Sequence, residues 1–419
     1  MLEKRLAALR TFFSLSMPSW GPSLAGLDIA KIRYFVQPDT QEAARWEDVP
    51  TEIRETFDLL GIPEAERAGL GGVGAQFDSE VIYHNLQKSL QERGVIFLNM
   101  DEALRRHEDL VREYFMTRCV PTHDHIFAAL HAAVWSGGTF IFVPRDVRVE
   151  VPLQAYFRMN AAWGGQFEHT LIIVEDGVRL EYIEGCSAPK FDSAALHAGC
   201  VEIFVGKGAH VTYASMENWS KNTYNLNTKR AIVDDNGEIS WISGNMGSGV
   251  TMLYPMSVLR GSRSKSTFLG VAIAGAGQVQ DTGHKVALVG PHASAFARAK
   301  SISAQGGVST YRGLVQIGGK ASDAVVHTVC DAVMIDSASI SQTIPLVQSS
   351  GVAASVTHEA TCGRLQDTAL FYLSSRGVSV QDATRLLITG FVDDIARALP
   401  LEYAVELLKL VEIEIARWK

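Results

Sequence analysis

Cys330 is the residue whose company most suggests chemistry, because His358 and Glu359 follow it in the run Thr357-His-Glu-Ala-Thr361. A thiol, an imidazole and a carboxylate make a mixed donor set, with thiolate as the strong ligand and the other two weaker and more labile. Such a set can hold a metal ion or cluster loosely enough to release it. Cys362 stands three residues after Glu359; on a strand it shares a side with His358 and opposes Glu359, as an accessory ligand would. A second thiol, Cys186, sits in Glu184-Gly-Cys-Ser-Ala-Pro189, where glycine permits close backbone approach and proline ends a strand. Arg158 and Asn160 are two apart, so one strand face would carry both. A cation such as Arg158 or Lys229 would lower a thiol's pKa and stabilise its anion.

The remaining cysteines, Cys119 and Cys200, complete a scattered set of five with no C-x-x-C pair, which excludes a zinc ribbon or a dithiol redox motif. A solitary thiol is ordinarily a small buried hydrophobe. Chemical company is what separates Cys330 and Cys186 from that reading.

These residues need a scaffold. The chain has 419 residues, 47% hydrophobic and 20% charged, enough for a full core and more than one domain. A net charge of −8 argues against a broad nucleic-acid footprint, which needs clustered Lys and Arg. No apolar run approaches the roughly 20 residues that span a bilayer, and the opening Met1-Leu-Glu-Lys-Arg-Leu6 has no signal-peptide core after it. A cytoplasmic protein, without membrane or nucleic-acid partners, is expected.

Residues 1–135 read as mostly helical, with apolar residues at helical spacing from Asp101 to Phe115 and from His123 to Trp135. From Gly137 short β-rich runs follow one another: 139–143, 149–157, 170–174, 201–205, 210–213, 238–242, 250–254, 267–273, 313–317 and 324–329. Glycine-containing turns separate them, and those after Glu175, Val205 and Asp234 recur at intervals of about thirty residues, compatible with the coils of a parallel β-helix. Helical patterns nearly vanish over this stretch, which excludes βαβ layering and leaves a sandwich, a barrel or a solenoid. The last fifty residues return to helix, with Gly377 as a stop, Ser379 to Asp382 as a capping start, and an amphipathic segment after Pro400. The expected division is 1–135 helical, 136–363 β core, 364–419 helical.

Several blocks resemble the SufB branch of the SufB/SufD family of the SUF iron–sulfur cluster assembly machinery. They are Met17-Pro-Ser-Trp-Gly, Gly72-Val-Gly-Ala-Gln-Phe-Asp-Ser-Glu, Val134-Trp-Ser-Gly-Gly, Tyr182-Ile-Glu-Gly-Cys-Ser-Ala-Pro, Thr228-Lys-Arg-Ala, Ser309-Thr-Tyr-Arg-Gly, His358-Glu-Ala-Thr and Leu370-Phe-Tyr-Leu-Ser-Ser-Arg-Gly. They run in order over nearly the whole chain. The resemblance implies a mainly β fold, a right-handed parallel β-helix core flanked by N- and C-terminal helical domains.

It also implies a role: a non-catalytic scaffold that carries a transient iron–sulfur cluster. Sulfur would enter at Cys186 from a persulfide donor, a cysteine desulfurase system. It would pass Arg158, Asn160, Trp219 and Lys229 inside the solenoid. Cys330 would take it, with His358 and Glu359 as further cluster ligands. A SufC-type ATPase would dock on the C-terminal helices, whose apolar residues include Leu370, Phe371, Tyr372, Leu401, Tyr403, Leu407 and Leu408. SufD or a second copy of the chain would complete the assembly. No Walker A motif is present, so ATP hydrolysis would belong to the partner. Glu217 departs from the pattern: many relatives carry Gln there, and a second carboxylate would disfavour anions on the path. The alternatives are a SufD-like architectural subunit and, more remotely, a β-helix enzyme acting on polysaccharides.

Overall fold

The computed structural model describes residues 1–37, 70–161, 163–188, 193–399, 401–416 and 418. The β region winds as a parallel solenoid of about eight coils, which removes the sandwich and the barrel. Strands Arg179–Ser187, His210–Asn218, Glu238–Met246, Lys265–Ala274, Ser294–Ser303, Ala324–Met334 and Ala354–Arg364 stack in parallel as one wall. Their starting positions set a coil near thirty residues, the interval at which the glycine turns recur. Gly177, Gly208 and Asn236 occupy positive φ at three of these turns, at 71°, 62° and 54°. Only glycine or a short polar residue adopts that conformation cheaply. The opposite wall is built from shorter strands, two rows of which merge into the long strand Val308–Ile317.

Alternation along each strand sends every second side chain into the solenoid. Tyr182, Tyr213, Trp241 and Phe268 fall at matching register on successive coils and form an interior aromatic column. Ring centroids lie 5.5 Å apart for Tyr182 and Tyr213 and 5.3 Å for Tyr213 and Trp241.

The N-terminal part holds more β structure than its helical reading. Strands Gly72–Phe77 and Leu153–Arg158 pair in parallel, and Glu80–Leu86 folds back antiparallel at the end of the same wall. Ile96–Asn99 closes the opposite wall, also antiparallel. These strands cover backbone edges that the first coils would otherwise present to solvent. The expected helices form as Met100–Arg106, Glu108–Tyr114 and Ile126–Val134.

At the other end, Ser379 accepts a hydrogen bond from the Asp382 amide at 3.1 Å and starts helix Val380–Ala396, and Gly377 sits at φ 87°. That helix and Leu401–Ala416 bury Ile388, Val392, Ile395, Leu407 and Val411 against Ala214, Met216, Ile242, Val271 and Ile273 on the outer face of the long-strand wall. Pro189, Pro400 and the side chains of Leu401 and Tyr403 lie outside the described residues. Helix Asp367–Ser375 buries none of its residues.

Candidate functional site

Cys330 lies on strand Ala324–Met334, opposite Ala360 of the last strand. Its parity turns it into the solenoid, where it is 4% exposed, and its Sγ lies 3.6 Å from Nε2 of His358. Burial first, then Asp331, pushes the thiol pKa up to about 12. Burial also lowers the pKa of His358, so its imidazole is neutral and free to act as a ligand or base. His358, Ala360 and Cys362 share the inner side of the last strand, and Cys362 is exposed because no further coil among the described residues covers it. Glu359 points to the opposite side and is exposed. The fold thus brings Cys330 and His358 together, keeps Cys362 on their side, and separates Glu359 from them.

Cys186 opens a second centre five strands away on the same wall. Its inner-face column runs through Glu217, Asn245, Ala272, Ser301 and Ala332 to Cys362, while Glu184 heads the adjacent column through Ser215, Ser243, Gly270 and Ala299 to Cys330. Glu217 is a fully buried member of this interior. It accepts hydrogen bonds from Lys229 Nζ at 2.7 Å, Trp219 Nε1 at 3.3 Å and Asn225 Nδ2 at 2.5 Å. Lys229 also lies 3.5 Å from Glu184. Burial opposes the Lys229 ammonium, but Glu217 and Glu184 outweigh it and raise its pKa. Burial likewise opposes ionisation of Glu217, and Lys229 and His197 reverse the balance.

Trp219 and Lys229 therefore do line the interior beside Cys186. Arg158 and Asn160 do not. Phe157 is the inward residue of that strand, and Arg158 turns to the other face, where Nη1 donates to Ser187 Oγ at 3.2 Å. Asn160 lies beyond the strand end and is exposed. Nor is the Cys186 thiol activated: burial, then Glu184, Glu217 and Glu168, push its pKa well above normal, with Lys229 the lone opposing charge among its main influences. Three carboxylates outvote one ammonium.

Sequence reasoning missed Glu168, His197 and Asn225. His197 Nε2 contacts Glu168 Oε1 at 2.5 Å and its Nδ1 faces Asn225 Oδ1 at 2.9 Å. Glu168, Cys186 and His197 offer ligand atoms within 4.8 Å of one another, and the second Glu168 oxygen is buried without a partner. The available signal was the coil period, since Glu168 and His197 occupy adjacent coils. Further along, a small cavity touches Asn245, Phe268, Gly270, Ser301, Tyr311 and Cys330, so the interior keeps space between the two centres.

Residues 157–391 match the family described as SUF system FeS cluster assembly, SufBD core domain, and residues 73–155 match the SufBD protein N-terminal region. The chain is 48% identical over 414 residues to an iron-sulfur cluster assembly SufBD family protein of Staphylococcus epidermidis, covering 99% of this chain and 89% of that one. Proteins of the same description from Staphylococcus haemolyticus and Staphylococcus aureus are each 47% identical over the same spans. With nearly the whole length matched and the solenoid in place, the chain belongs to the SufBD family of iron–sulfur cluster assembly proteins.

Proposed function

We propose that this chain is a SufB-like scaffold of the cytoplasm, which receives persulfide sulfur at Cys186 and builds a transient iron–sulfur cluster at Cys330 and His358. The observation that carries the reading is the 3.6 Å approach of the Cys330 thiol to the His358 ring at the open end of the solenoid. The cluster is cargo, and one thiolate with one labile imidazole from a single chain suits a scaffold that must release it. Glu184 Oε1 is 3.9 Å from the Cys186 thiol and serves as its base, because burial raises this carboxyl's pKa and increases its affinity for a proton. The resulting thiolate attacks the terminal sulfur of a donor persulfide, and the donor leaves as a thiolate.

Exposed Phe371 and Tyr372 on helix Asp367–Ser375 suit docking of a SufC-type ATPase, which supplies ATP hydrolysis. SufD or a second copy, meeting the uncapped last coil, supplies the remaining cluster ligands. The test is anaerobic reconstitution with ferrous iron and sulfide. Cys330→Ala and His358→Ala are expected to lose visible absorption and bound iron, with Glu359→Ala retaining more. Unchanged absorption and iron in both Cys330→Ala and His358→Ala would overturn the site and favour a SufD-like architectural role.

A further inference from the structure

A second group of ligating side chains lies outside the solenoid, between its short-strand wall and the N-terminal helices. His131 comes from helix Ile126–Val134, while His169 and Cys200 begin strands His169–Val174 and Cys200–Val205 and pair with each other across adjacent coils. His131 and Cys200 are 1% exposed and His169 is fully buried. One nitrogen from each ring and the Cys200 sulfur lie within 4.8 Å of one another.

The surroundings are those of a metal site. His131 Nδ1 is 2.9 Å from the Ala198 carbonyl, so it carries the proton and Nε2 offers a lone pair. That lone pair points at His169 Nδ1, 3.0 Å away. His169 Nε2 faces Glu202 Oε2 at 3.3 Å yet makes no hydrogen bond. Glu202 is held in place by the Met116 amide at 2.6 Å and the Val120 amide at 2.8 Å. Metal-bound histidines ordinarily give their second nitrogen to a backbone carbonyl or a carboxylate, which are the two partners present here. Two Zn–N bonds of about 2.0–2.1 Å in a tetrahedral site place their nitrogens roughly 3.3 Å apart, close to the observed gap.

We infer that His131, His169 and Cys200 bind one divalent ion of the zinc class, with Glu202 orienting His169, and that the ion staples helix Ile126–Val134 to two successive coils. On binding, His131 Nε2 and His169 Nδ1 each give a lone pair. The His169 proton moves to Nε2 and is donated to Glu202, Cys200 releases one proton to solvent as it becomes a thiolate, and no electron changes hands. A mixed imidazole and thiolate set favours zinc over magnesium or calcium. A fourth ligand comes from solvent. The site shares no residue with Cys186, Cys330 or their neighbours.

The test uses the full, untagged chain carrying Cys330→Ala and Cys362→Ser, expressed with zinc and, separately, with cobalt. About one zinc per chain is expected, and the cobalt form should show a near-ultraviolet thiolate charge-transfer band. Cys200→Ser and His169→Gln should each lose the metal and the band, while Cys186→Ser keeps both. A strong chelator should lower the melting temperature of the parent but not of Cys200→Ser, which reads the site even if a histidine variant folds poorly. Substoichiometric zinc in the parent, or metal retained in Cys200→Ser and lost in Cys186→Ser, would overturn the assignment.

Discussion

At the scale of single residues, the interior around Cys186 is decided by charge balance. Lys229 is the ammonium that Glu184 and Glu217 share, and all three are buried. Removing one partner of a buried ion pair strands the others without solvent, so Lys229→Met should cost about 3–5 kcal/mol in a denaturant melt. Glu217→Gln keeps the contact of Lys229 with Glu184 and should cost less. The thiols differ as sharply. Cys362 is exposed, Cys330 is buried at the open end with a pKa raised to about 12, and Cys186 is sealed with a pKa pushed well up. Since the thiolate is the nucleophile, alkylation followed by mass spectrometry should label Cys362 first and Cys330 more slowly, with a rate that climbs as pH rises toward 12. Cys186 should react slowest of these three thiols in the folded chain. The pairing of Cys330 with His358 was legible because a conspicuous motif marked one of them. Glu168 and His197 carry no motif, and only the coil period joins them.

At the scale of elements, many strands of the solenoid were legible from their β-branched runs and glycine turns, whereas Thr228–Val233, Ser294–Ser303 and Ile340–Ser349 were not read as strands. Gly72–Phe77 escaped because Gly72, Gly74 and Gln76 dilute its β signal; one of its two partners, Leu153–Arg158, lies some eighty residues away, and that pairing stabilises it. The inward direction of Arg158 failed for a related reason: spacing fixes which residues share a face, but not which face looks inward. The C-terminal helices divide in the same way. Leu407 is fully buried against the sheet, whereas Phe371 and Tyr372 are 76% and 58% exposed on a helix with no buried residue. Leu407→Ala should therefore cost about 2–5 kcal/mol. Phe371→Ser with Tyr372→Ser should stay within about 0.5 kcal/mol of the parent in stability. The same pair should weaken capture of the SufC-type ATPase in a pull-down. Undiminished capture would move the docking surface elsewhere.

At the scale of the whole molecule, the two ends of the solenoid are unlike, and that difference orders the function. The first coils are closed by antiparallel strands and N-terminal helices. Among the described residues, the last coil leaves strands Ile340–Ser349 and Ala354–Arg364 with open edges, and Leu346 and Val347 are each about half exposed. Five strand spacings of about 4.8 Å put Cys186 and Cys330 roughly 24 Å apart along the wall. The five cysteines of the chain place no thiol on the inner columns between them. If sulfur is taken up at Cys186 as proposed, no intermediate thiol can carry it onward by exchange, and an external two-electron reductant is needed to cleave the persulfide and release its outer sulfur as hydrosulfide past Asn245 and Ser301. A free anion leaving at an uncapped end would be lost unless a second subunit closed that end, and an exposed apolar edge is the surface on which strands from two chains pair. Leu346→Lys with Val347→Lys should therefore weaken association with SufD, or self-association, by about tenfold or more in light scattering, while changing the melting temperature little. Wild-type affinity in that variant would detach the open end from assembly and return the cluster site to a single chain.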